Sequence, residues 1–219
     1  MSLRKLKRIN DYEKTLPVLE LYTAVQSEGS RQGYPTIVVR TTGCTHRCYF
    51  GSPTMHPALV NELTHFANER QIFITMETEG SHFLNTDYPI NLLSISPKFS
   101  NSIPVMGAVT PTGQEVDERM IKKHNSKRCN IEAIRQSIEY HDDYHIKPVL
   151  DKDLSMVKEV EELIKELNIP DHKIWAMPAG DDRESLFQSY GPVMNFVRDR
   201  GWRYTGRSHI MAFNTERCV

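Results

Sequence analysis

No run of apolar residues in this chain approaches the roughly 20 that a membrane-spanning helix requires, and its N-terminal stretch lacks the apolar core of a secretion signal. The expected compartment is the cytoplasm, with no membrane partner. Cysteine is scarce, with four in 219 residues, at positions 44, 48, 129 and 218. Irregular spacing without a secretion signal argues against a disulfide framework and for reduced thiols or metal work. Charge of one sign is also lacking, since 27 basic and 28 acidic residues leave a net charge of -1. They are interspersed apart from Arg4, Lys5, Lys7 and Arg8, which read as a solvated arm, so no nucleic-acid partner is expected. There is no repeat and no low-complexity tract. With 39% hydrophobic residues, the length suits one domain spanning 1–219 with a full core.

What the chain does have is alternation. Short apolar, strand-like runs recur at Val18–Thr23, Thr36–Thr41, Ile72–Glu77, Leu92–Ser96, Ile146–Leu150, Lys173–Met177 and Trp202–Thr205. Between several of them lie helical patterns: Leu59, Leu63, Phe66 and Ala67; then Ile131, Ile134 and Ile138; then Val160, Leu163, Ile164 and Leu167. Val193, Phe196 and Val197 mark a last helix that ends at Gly201. Repeated βα units predict an α/β fold with a mainly parallel sheet of about six strands, an open or partial barrel. Ligands of such sheets bind at the carboxyl ends of the strands. Residues 100–129, punctuated by Pro104, Gly107, Pro111 and Gly113, read as an irregular insert with a short helix near Glu115–His124.

The loops at those strand ends hold the candidate chemistry. Cys44 and Cys48 sit four residues apart just past a strand, in Gly43-Cys44-Thr45-His46-Arg47-Cys48. The pair suits a metal or cluster, half of a structural zinc site, or two free thiols. Glu28, in Gln26-Ser27-Glu28-Gly29, either orients a polar ligand or is a solvated turn acid. Arg40, at the end of a buried strand, needs an anionic partner, which a substrate carboxylate or a structural salt bridge would supply. Glu77-Thr78-Glu79-Gly80 and Ser96-Pro97-Lys98 end successive strands with polar groups that can share one pocket.

Taken in order, these pieces resemble a known family. Gln26-Ser-Glu-Gly29, Gly33-Tyr-Pro35, Val39-Arg40, Gly43-Cys44-x-x-x-Cys48, Gly51-Ser-Pro53, Glu77-Thr-Glu-Gly80 and Ser96-Pro-Lys98 are similar, nearly end to end, to the 7-carboxy-7-deazaguanine synthases. These are small radical S-adenosylmethionine lyases of queuosine and 7-deazaguanine biosynthesis. The short, divergent motifs look most like bacteriophage versions, which places the chain in a bacterium or a phage-infected one. The resemblance implies a partial β/α barrel of the radical S-adenosylmethionine type, holding a [4Fe-4S] cluster with one iron open to S-adenosylmethionine. It further implies Mg²⁺, a flavodoxin-like reducing partner and a homodimer. The implied reaction is radical ring contraction of 6-carboxy-5,6,7,8-tetrahydropterin, with loss of ammonia, to 7-carboxy-7-deazaguanine. By motif, Cys44 and Cys48 would be cluster ligands. Gly51, Glu77, Thr78, Ser96, Pro97, Lys98, Met177 and Pro178 would surround S-adenosylmethionine, and Gln26, Glu28, Arg40, Arg207 and His209 would meet the pterin.

The sequence also departs from that pattern. A third cysteine, followed by Asp and a Ser or Thr that helps bind Mg²⁺, belongs after Cys48, but Gly51-Ser52-Pro53 follows within three residues. One αβ unit, about 50 residues by comparison with the size of a βαβ unit, is missing there. Cys129, Cys218, His46 and His56 are the candidate substitute ligands. Loss of a buried strand and helix should expose apolar surface on their neighbours. Two main readings follow: the radical enzyme, or a catalytically dead pterin- or nucleoside-binding protein of the same fold. A zinc-binding domain using Cys44, Cys48 and a histidine is a third.

Overall fold

A computed structural model describes residues 17–42, 52–110 and 113–216. The first two strands, β1 (Val18–Val25) and β2 (Pro35–Thr41), pair antiparallel, with Glu20 opposite Arg40, Leu21 opposite Val39 and Thr23 opposite Ile37. Residues 26–34 hold only a 3-10 turn at Gly29–Arg31. A parallel crossover needs a dozen or more residues, so this gap can only close a hairpin. The hairpin therefore departs from the βα alternation expected from the sequence.

From β3 onward the strand pairs are parallel. β3 (Thr75–Thr78), β4 (Leu92–Ile95) and β5 (Tyr144–Ile146) form one sheet, and β6 (Val149–Leu150), β7 (Trp175–Pro178) and β8 (Arg203–Tyr204) form another. The expected strand Ile146–Leu150 is interrupted at Lys147-Pro148, because proline has no N–H to continue a ladder. A parallel bridge between Ile146 and Ile174 spans the interruption. The sheets are small and open.

Helices α1 (Pro57–Glu69), α3 (Ile131–Tyr140), α4 (Val157–Leu167) and α5 (Arg183–Arg200) occupy the expected positions, and α2 (Glu118–Lys127) lies in the 100–129 segment. Asp117 and Asn130 cap α2 and α3 by accepting from the backbone N–H of Met120 and Ala133. Asp182 and Ser185 form a capping box on α5, and Gly201 ends that helix in the left-handed conformation. Ile134 of α3, Val160 and Leu163 of α4, and Val193 and Val197 of α5 pack with Leu93, Ile95, Ile146 and Ala176 of the strands and with Ile174 just before β7. Each fully buried aliphatic side chain contributes about 1.5–3 kcal/mol, so the sheet edges are fixed by a dense apolar base. No helix among the described residues is long and apolar enough to cross a membrane.

The hairpin has an unusual polarity. Leu19, Leu21, Val25 and Ile37 are exposed on one face, while Glu20, Tyr22 and Arg40 are half-buried on the other.

Candidate active site

The turn of the hairpin is tied to the carboxyl ends of the parallel strands. The Gly29 N–H donates to Thr205 Oγ1 at 2.6 Å, and the Ser208 N–H donates to the Ser27 carbonyl at 3.3 Å. Gly29 adopts φ +70°, and a Cβ there would stand 2.8 Å from Cε1 of the buried His145 ring, so the approach requires glycine. The His145 ring is held by Ser94 Oγ at 2.8 Å and Ser30 Oγ at 3.1 Å. These contacts place Gln26 and Glu28 over the strand ends.

A chain of charges runs through that point. Lys147 Nζ donates to Glu28 Oε2 at 2.7 Å and to Glu77 Oε2 at 3.3 Å. Arg207 Nε donates to Glu28 Oε1 at 3.0 Å, and its Nη1 donates to the Gly180 carbonyl. Gln26 Nε2 donates to Glu77 Oε1 at 3.2 Å, while its Oε1 accepts from the Ser27 and Glu28 N–H groups. Burial disfavours the charged carboxylate of Glu28, but Lys147 and then Arg207 outweigh it and hold the group well below the usual carboxylate range. Burial likewise works against the Lys147 ammonium, and Glu28 and Glu77 more than offset it, so its pKa is raised. His209 lies in the same field. Burial lowers its pKa, Glu28 opposes the shift and Arg207 adds to it, and its buried Nδ1 has no hydrogen-bond partner among the described residues. With Thr23, Ser27, Ser208 and Phe213, His209 lines a cleft of about 440 Å³ between β1 and α6 (Ser208–Phe213).

The remaining expected residues fall at adjoining strand ends. Thr78 ends β3 and Met177 and Pro178 end β7, all buried. The Ser96 N–H donates to the Thr78 carbonyl at 2.7 Å, and Pro97 is buried beside it. Lys98 is half-buried, and its charge is felt by His124 of α2. Arg40 is paired with Glu20, directly opposite it in the hairpin register, and donates to Tyr22 Oη at 3.0 Å. The salt-bridge alternative is thus realised, although Arg40 remains within the electrostatic reach of His209. Lys147 carries the network, yet no motif pointed to it. Its signal was a lysine enclosed in the apolar run His145-Ile146-Lys147-Pro148-Val149-Leu150.

Cys44, Cys48 and Gly51 lie outside the described residues, as do His46 and Cys218. His56 approaches the Thr42 carbonyl, at the root of the Cys44 loop. Cys129 has Arg128 and Glu159 as its charged neighbours, on the α2–α3 junction and α4, and burial raises its thiol pKa. Among the described residues no group of three or more His, Cys, Asp or Glu side chains is placed to hold a metal ion.

No family model matches the chain. A 7-carboxy-7-deazaguanine synthase of Halobacterium salinarum is 26% identical over 91% of this chain and 91% of its own length. Another, from Rhodopirellula baltica, is 23% identical over 94% of this chain and 89% of its own length. The chain is a relative of the 7-carboxy-7-deazaguanine synthases. The crystal structure of QueE from Escherichia coli shares the fold, with a TM-score of 0.54 and 16% identity, covering 87% of this chain and 93% of that one. The two synthase alignments span 242 and 241 positions, more than the 219 residues of this chain. These synthases therefore carry positions that have no counterpart here.

Proposed function

We propose that this chain is a pterin-binding protein of the 7-carboxy-7-deazaguanine synthase type, built on an open partial β/α barrel, with 6-carboxy-5,6,7,8-tetrahydropterin as its ligand. The observation that carries this reading is one connected network, in which the buried Lys147 ammonium holds Glu28 and Glu77 while Arg207 donates to Glu28 and Gln26 to Glu77. A pterin presents N–H donors along its 2-amino-4-oxo edge, which ionised carboxylates such as Glu28 accept. Its 6-carboxylate calls for a cation, which Arg207, Arg40 or Lys98 would supply. The residues at the ends of β3, β4 and β7, namely Thr78, Ser96, Pro97, Met177 and Pro178, would wall S-adenosylmethionine, which supplies a carbon-centred radical when reduced at a cluster.

The cluster itself fits less well. Cys44 and Cys48 are one thiolate short of a three-cysteine set, and Cys129 lies among helices rather than strand ends. This shortfall, with the alignments that outrun the chain, favours a second reading in which pterin binding persists without radical chemistry.

Anaerobic reconstitution with iron and sulfide, followed by metal counting, S-adenosylmethionine cleavage and product chromatography, separates the two. Four irons per chain with 7-carboxy-7-deazaguanine formed supports the lyase. Pterin binding by calorimetry without iron uptake supports the binding protein. Absence of pterin binding in either form overturns both.

A further inference from the structure

Lys147 is the largest fully buried side chain among the described residues, at 2% side-chain exposure. Its backbone is rigid. The Lys147 N–H donates to the Ile95 carbonyl at 2.7 Å, and the next carbonyl, of Pro148, accepts from Met177 N–H at 2.9 Å. Its ammonium is therefore launched from the seam between the two parallel sheets. It reaches one carboxylate from the hairpin turn, Glu28, and one from β3, Glu77.

Two carboxylates converging on one spot repel, and without a cation between them one takes up a proton. A protonated carboxyl offers an O–H donor where a carboxylate offers only acceptors. The difference decides whether an N–H edge is received or refused. We propose that Lys147 is a positioning residue for pterin recognition, holding Glu28 and Glu77 as a fixed pair of acceptors for the amino edge of the ligand. This rests on the pterin reading given above. The ammonium is too enclosed to touch the ligand itself and acts through its two partners. It also couples them, since a shift of the hairpin turn at Glu28 is felt at the end of β3.

The test uses the full chain without cluster and 6-carboxypterin as the probe, titrated by fluorescence, beside urea unfolding of the same samples. Lys147→Met should weaken binding at least about tenfold, as for loss of a charge-assisted hydrogen bond. It should also lower the unfolding midpoint by removing the cation that Glu28 and Glu77 share. Lys147→Arg, which keeps a cation between Glu28 and Glu77, should restore both the affinity and the midpoint. A folded Lys147→Met chain that binds within twofold of the wild type overturns the proposal. So does a Lys147→Arg chain that is as stable as the wild type yet binds as weakly as Lys147→Met, which would mark Lys147 as structural only. A wild-type chain that does not bind the probe instead overturns the pterin reading, and this proposal with it.

Discussion

Acidification from pH 7 to pH 5 should destabilise this protein through His145. The ring is 2% exposed, and both of its nitrogens are engaged by serine hydroxyls. Burial, and then the nearby Lys147 ammonium, push its pKa down to about 3, whereas a histidine in an unfolded chain titrates near 6.5. Between those values the unfolded state binds the extra proton, so stability rises with pH and falls on acidification. At pH 5, about 1.5 units below the unfolded value, the loss from this one residue is about 2 kcal/mol. His141, lowered to about 4 by burial, acts in the same direction. Glu28, with its depressed carboxyl, contributes stability that is lost only as pH falls below about 4.5. The interval from pH 7 to 5 therefore isolates the histidines. Urea unfolding at pH 7, 6 and 5 measures the slope, and His145→Gln, which keeps hydrogen-bonding reach, should remove about 2 kcal/mol of the difference. A wild-type stability that is flat across this range, or an unchanged slope in His145→Gln, would refute the reasoning.

Three further outcomes are expected. Gly29→Ala forces a methyl against the His145 ring from a left-handed backbone, so it should both lower the melting temperature and weaken binding of 6-carboxypterin, measured on one preparation. Asp182→Ala removes the capping box of α5 and should cost about 1 kcal/mol in denaturant unfolding without altering ligand affinity. Ile134→Ala empties a fully buried position between α3 and the strands; a loss of about 2–5 kcal/mol is expected, and a loss under 1 kcal/mol would show that the site collapses around it.

Helices were the most legible part of the fold. Val160, Leu163, Ile164 and Leu167 predicted α4, and the helix runs Val157–Leu167, because one apolar stripe at helical spacing has a single way to be buried. The pairing of β1 and β2 was less legible. Apolar runs announce strands but not their direction, and the shortness of residues 26–34 carried that information. Arg40 follows from the same point, since its partner Glu20 is obvious only once the hairpin register is known. In the structure Gln26, Glu28, Glu77 and Arg207 meet in one network, whereas the resemblance assigned Glu77 to S-adenosylmethionine and the other three to the pterin. Lys147 was hidden because a lysine between apolar residues gives no sign of whether it faces solvent or a pair of carboxylates far away in sequence.

The network at the strand ends contains two carboxylates, Glu28 and Glu77, and two cations, Lys147 and Arg207. Such a quartet carries no net charge, so its potential decays within a few ångströms instead of reaching into solvent. An anionic ligand is then not drawn in from a distance, and its arrival rate should respond little to ionic strength. Discrimination begins only at contact, when donors and acceptors either match or are left unpaired.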